Sequence, residues 1–64
     1  MRVRFLPERR EVEVSGVRRV ADLLRELDVL PGTVLVIRND ELLGEHDVLD
    51  ADDEVEIRSV LSGG

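Results

Sequence analysis

Residues 15–32, SGVRRVADLLRELDVLPG, break the pattern of everything before them. Val17, Val20, Ala21, Leu24 and Leu27 recur at i, i+3, i+4, i+7 and i+10. That spacing places them on one stripe of a helix, with Arg18, Arg19, Asp22, Arg25 and Glu26 mostly opposite. Ser15 or Gly16 is suited to cap its start, and Pro31-Gly32 ends it. The stripe is long enough to cover one face of a small sheet.

On the N-terminal side the period is two. Residues 2–6, RVRFL, and residues 11–14, EVEV, alternate charged and apolar side chains. They read as two strands, with Val3, Phe5, Val12 and Val14 facing inward. Pro7 ends the first strand and PER forms the turn. The outward arginines of the first strand then lie across from Glu11 and Glu13.

On the C-terminal side, residues 33–37, TVLVI, are apolar without alternation, as in a strand with neighbours on both sides. With Arg38 taken to face water, parity predicts Leu35 and Ile37 inside and Val34 and Val36 outside. Asn39-Asp40 forms a turn, because both residues tolerate left-handed backbone angles. ELL, residues 41–43, is a short return strand. A polar loop follows, with Leu49 reaching into the core. Residues 54–61, EVEIRSVL, alternate again with Val55 and Ile57 inward.

The order is therefore hairpin, helix, strand, short strand, last strand. One helix cannot connect several parallel strands, so a doubly wound sheet is excluded. It can cover a mixed sheet whose first and last strands lie side by side. The expected fold is an α+β grasp, four or five strands around one main helix. Residues 1–61 form this domain and residues 62–64 a flexible tail.

Composition limits the function. A 64-residue chain buries only about 60% of the surface its unfolded form exposes, so the core is small. Phe5 is the only aromatic residue, which makes that core aliphatic. Without cysteine there is no disulfide, thiolate metal site or thiol nucleophile, and the cytoplasm is the expected compartment. No apolar run approaches membrane-spanning length. The net charge of −6 disfavours direct nucleic-acid binding and suits a basic protein partner. All nine basic residues are arginine; with no lysine, no side-chain amine can attack an activated carboxyl group. Genome composition or heat adaptation is the favoured account of that bias.

No catalytic constellation is apparent. His46 lies in a polar loop between Glu45 and Asp47, and no serine sits in a nucleophile elbow. DADDE, residues 50–54, lacks the glycine and glutamate positions of a calcium loop and reads as a solvated turn. No metal site is expected, and no cofactor is expected to be bound. The arginine pairs 9–10 and 18–19 read as solvated or salt-bridged surface. Val34, Val36, Val60 and Leu61 are candidates for a partner-binding patch on the sheet's open face; scattered exposed apolar residues are the alternative. Ser62, Gly63 and Gly64 then form a slim end that can thread a narrow channel. A terminal carboxylate needs activation by ATP before it can react as an electrophile.

This arrangement resembles the ubiquitin-like sulfur carriers of the ThiS and MoaD superfamily. The likeness covers the whole chain. It rests on the aliphatic strand closed by Asn, TVLVIRN (33–39), and on LDADDEVEI (49–57). The latter matches a Leu-x-x-Gly-Asp-x-Val-x-Ile pattern with Asp52 in place of glycine. It rests also on the Gly-Gly end. LPERREVEV (6–14) and VLSGG (60–64) look most like the TtuB group of small bacterial carriers, which supply sulfur for thiolation of a tRNA uridine. The resemblance implies a carrier and co-substrate, not an enzyme. An adenylating enzyme of the ubiquitin-activating type would use ATP to activate Gly64. A cysteine desulfurase or rhodanese would supply sulfur, and a modifying enzyme would accept it from the thiocarboxylate. Ser62 and Gly63 would thread the partner's active site, and the carrier would act as a monomer. Carriage for thiamine, molybdopterin or cysteine synthesis, conjugation to lysines through Gly64, and a plain interaction domain with an incidental glycine end are the competing readings.

Overall fold

The computed structural model describes residues 1–60. Strand β1 (Arg2–Leu6) turns into β2 (Arg10–Glu13), followed by helix α1 (Val20–Glu26) and a 3-10 turn at Pro31–Thr33. Strands β3 (Val34–Arg38), β4 (Glu41–Leu43) and β5 (Glu54–Ser59) complete one sheet of order β2-β1-β5-β3-β4. β1 and β5 are parallel and central; every other pairing is antiparallel. This is the β-grasp arrangement, with α1 on one face of the sheet.

The register explains the alternation. Val3 lies between Val12 and Val55, and Phe5 between Arg10 and Ile57. Val3, Phe5, Val55 and Ile57 join Val14, Val20, Leu23, Leu24, Val36 and Leu49 in the buried core. Phe5 is its only aromatic member. Each fully buried aliphatic side chain contributes about 1.5–3 kcal/mol. No polar side chain is buried among the described residues.

The helix is shorter than its periodicity predicts. Its N-cap is Arg19, not Ser15 or Gly16. Arg19 is held extended instead, at φ −126° and ψ 162°. The Leu49 N–H donates to Arg18 O at 2.7 Å, the Val20 N–H to Asp47 O at 3.1 Å, and Arg19 bridges Val48. Gly16, at φ +80°, serves the turn out of β2. The Arg19 N–H donates to Asp22 Oδ2 at 3.3 Å, which satisfies one group at the helix start. The far end closes in a Schellman motif. There the Val29 N–H reaches Leu24 O at 2.9 Å and the Asp28 N–H reaches Arg25 O at 3.1 Å, with Asp28 at φ 59°. Val20, Leu23 and Leu24 are the buried face. No helix of the described residues is long and apolar enough to cross a membrane.

Candidate functional site: the open face of the sheet and the root of the tail

The face of the sheet away from α1 is set by strand parity. From β2 and β1 it presents Glu11, Glu13, Arg2, Arg4 and Leu6; from β5, Glu54, Glu56 and Arg58. Leu35 and Ile37 of β3 and Leu42 of β4 complete it. One half of this face is ionic. Arg2 Nε lies 3.6 Å from Glu13 and 3.7 Å from Glu11, and Arg2 Nη1 lies 3.7 Å from Glu54. Arg4 Nε lies 3.5 Å from Glu11. These half-exposed pairs contribute about 0–1 kcal/mol each. Their larger effect is to neutralise the face from within.

The other half is apolar, but its members differ from those expected. Val36 is 3% exposed and belongs to the core, and Val34 is half-buried and packed against it. Leu35 is 41% exposed and Leu42 is 65% exposed. The parity of β3 is the reverse of the prediction because Arg38 does not face open water. Its Nη1 donates to Val48 O at 2.9 Å and to Asp53 Oδ2 at 2.8 Å. Arg38 therefore lies on the helix side of the sheet, which puts Val36 and Val34 there with it. The strongly apolar TVLVI carries no alternation to signal this. The long reach of the arginine to the 44–53 loop decides it.

Val60 remains on the surface, 47% exposed. Its N–H donates to Thr33 O at 3.1 Å, extending the β3–β5 ladder one step past Ser59. Alternation from Arg58 puts it on the open face, across from Thr33 in the β3–β5 register. Leu6, Pro7, Arg58 and Ser59 line a shallow depression next to this root. Leu61, Ser62, Gly63 and Gly64 lie outside the described residues.

The 44–53 loop is tied down at several points. The Gly44 N–H donates to Asp47 Oδ2 at 2.7 Å, and Arg19 Nη1 to His46 O at 2.7 Å. The Asp50 N–H donates to Asp53 Oδ2 at 2.8 Å. This bond, then that from Arg38, holds the Asp53 carboxyl below the usual carboxylate range. The same hydrogen bond raises the Arg38 guanidinium above its ordinary value. Residues 50–54 therefore form a hydrogen-bonded turn. Asp52, at the position where glycine was expected, has no positive φ, so the substitution carries no backbone strain. Among the described residues no three His, Cys, Asp or Glu side chains converge to hold a metal ion.

The ThiS family model matches residues 2–64, from the first residue of β1 to the second glycine. The chain belongs to the ThiS family. The sulfur carrier protein TtuB of Thermus thermophilus is 46% identical over 59 residues, covering 92% of this chain and 91% of that protein.

Proposed function

We propose that this chain is a sulfur carrier whose Gly64 carboxylate is activated and converted to a thiocarboxylate, delivering sulfur for thiolation of a tRNA uridine. The observation that carries this reading is a family match reaching Gly64, together with the likeness to a sulfur carrier over nine-tenths of both chains.

The chemistry follows from the terminal group. A carboxylate oxygen of Gly64 attacks the α-phosphorus of ATP on a partner enzyme, and pyrophosphate leaves. The acyl-adenylate is then attacked by the outer sulfur of an enzyme persulfide, and AMP leaves. A thiol cleaves the resulting acyl persulfide at its S–S bond, which forms a disulfide and frees the thiocarboxylate. ATP, persulfide and thiol all belong to partner enzymes; the carrier supplies only the acyl group. The lack of side chains at Gly63 and Gly64 keeps the attacked carbonyl open. The apolar strip of Leu35, Ile37, Leu42 and Val60 gives the adenylating enzyme a surface to hold while the end is threaded.

The test is intact mass after incubation with ATP, a cysteine desulfurase and the cell's adenylating enzyme. Exchange of one terminal oxygen for sulfur is expected, and none for a chain lacking Gly64. Normal pyrophosphate exchange by the truncated chain would refute the carrier reading. The tRNA assignment is tested separately, by loss of the thiolated uridine in cells deleted for this chain. Intact thiolation there, with a deficit of thiamine or molybdopterin, would move the sulfur to another pathway.

A further inference from the structure

The charges of this acidic protein are unevenly placed. Glu13, Asp40, Asp50, Asp52, Asp53 and Glu54 gather where β5 begins and β3 ends, the pole opposite Val60, and outnumber the cations among them, Arg2, Arg38 and the N-terminus. At the Val60 pole lies the β1–β2 turn, Pro7–Arg9, with Arg10 following. Leu6 pairs with Arg58, two residues before Val60, so the turn stands beside the root of the tail. Within the turn Glu8 is the one carboxylate.

Arg9 in the turn and Arg10 just after it make no ion pair among the described residues. Arg9 makes no hydrogen bond or ion pair among the described residues. Its backbone sits at φ 60°, a conformation that glycine adopts without steric cost and arginine does not. It borders a shallow depression with Leu6, Arg4 and Glu11. Arg10 lies over the Phe5 ring with its guanidinium 4.6 Å from the centroid, which fixes the charge at the surface without neutralising it.

Distance makes the location matter. Four residues separate Val60 from the far end of Gly64, and four extended residues span at most about 14 Å. An enzyme that encloses Gly64 must therefore approach the sheet at this pole, beside the turn.

We propose that the β1–β2 turn is a second docking element, in which Arg9 and Arg10 receive a carboxylate-bearing surface of the enzyme that activates Gly64. This rests on the carrier reading above. The acidic pole then faces away, so the protein's own field orients the tail toward the enzyme before contact. The local charge at this pole is what the partner meets, not the net charge of −6.

The experiment is ATP–pyrophosphate exchange with the cell's adenylating enzyme, measured against carrier concentration at low and high salt. Wild type should show a KM that rises with salt. The Arg9→Asp, Arg10→Glu double variant should raise KM about tenfold at low salt, leave kcat unchanged and lose the salt dependence. Arg9→Gly guards against a folding artefact, since it relieves the backbone. It should melt higher than wild type and yet show a KM raised severalfold. Unchanged KM values in variants that fold, or a lower KM, would overturn the proposal while leaving the carrier reading intact. So would a loss of tRNA affinity in the double variant without a change in exchange, which would make nucleic acid the partner. Absence of exchange by wild type would remove both readings together.

Discussion

Arg38 Nη1 lies 2.8 Å from Asp53 Oδ2 and 2.9 Å from Val48 O, joining the end of β3 to the middle and the far end of the loop that precedes β5. The Asp53 carboxylate also accepts the Asp50 N–H. Its pKa is lowered, first by that backbone bond and then by Arg38, against an ordinary value of 3.8. A carboxyl with a depressed folded-state pKa binds protons more readily when unfolded. Its contribution is therefore full above about pH 4 and is lost as pH falls through the folded value.

Asp53→Ala should consequently cost about 1–2 kcal/mol at neutral pH, the scale of a lost charge-assisted hydrogen bond at a mostly covered site. The difference from wild type should shrink toward pH 3. Urea unfolding of both proteins at the two pH values measures it. An equal gap at both would mean that ionisation is irrelevant there.

Asp28 occupies the C′ position of α1 at φ 59°. Asp28→Gly removes a steric penalty while keeping both closing hydrogen bonds, and should stabilise by about 0.5–1 kcal/mol. In a domain of this size, each kcal/mol moves Tm by about 4–8 °C. Asp52→Gly should do the opposite, by about 0.5–1 kcal/mol, because no positive φ rewards glycine there. A thermal melt of each variant decides the sign.

The strands were legible because the charged and apolar residues of β1, β2 and β5 alternate cleanly, and the pairing of Arg2 and Arg4 with glutamates followed from that pattern. The helix was legible as an element but not at its start. Arg18 and Arg19 bond to residues 47–49, a contact across nearly thirty positions that local periodicity does not carry. The same gap hid Leu23. It lies off the stripe drawn through Val17 and Ala21, yet it is fully buried: Val17 stands outside the helix, and the buried face runs through Val20, Leu23 and Leu24. Leu23→Ala should cost about 2–5 kcal/mol, and Val17→Ala less than about 1 kcal/mol. Equilibrium unfolding of the two would show which stripe the fold uses.

The candidate site was legible only in part, and β3 shows why. An unbroken apolar strand has no internal marker of which face is wet, so its parity was anchored on Arg38, a residue long enough to lie on the covered side and still reach polar partners. The correction makes a sharp prediction about adjacent positions. Val36→Asp places a carboxylate in the core with nothing to pair with it, and the protein should fail to fold. Leu35→Asp changes the exposed neighbour and should leave the fold and its melting within about 1 kcal/mol of wild type. If the apolar strip holds the adenylating enzyme, Leu35→Asp and Val60→Asp should both raise KM in pyrophosphate exchange, and combining them should raise it further. Circular dichroism separates the two classes of effect. A folded Val36→Asp variant would reverse the assigned faces of β3. Unchanged exchange kinetics in folded Leu35→Asp and Val60→Asp would show that the enzyme grips the carrier elsewhere.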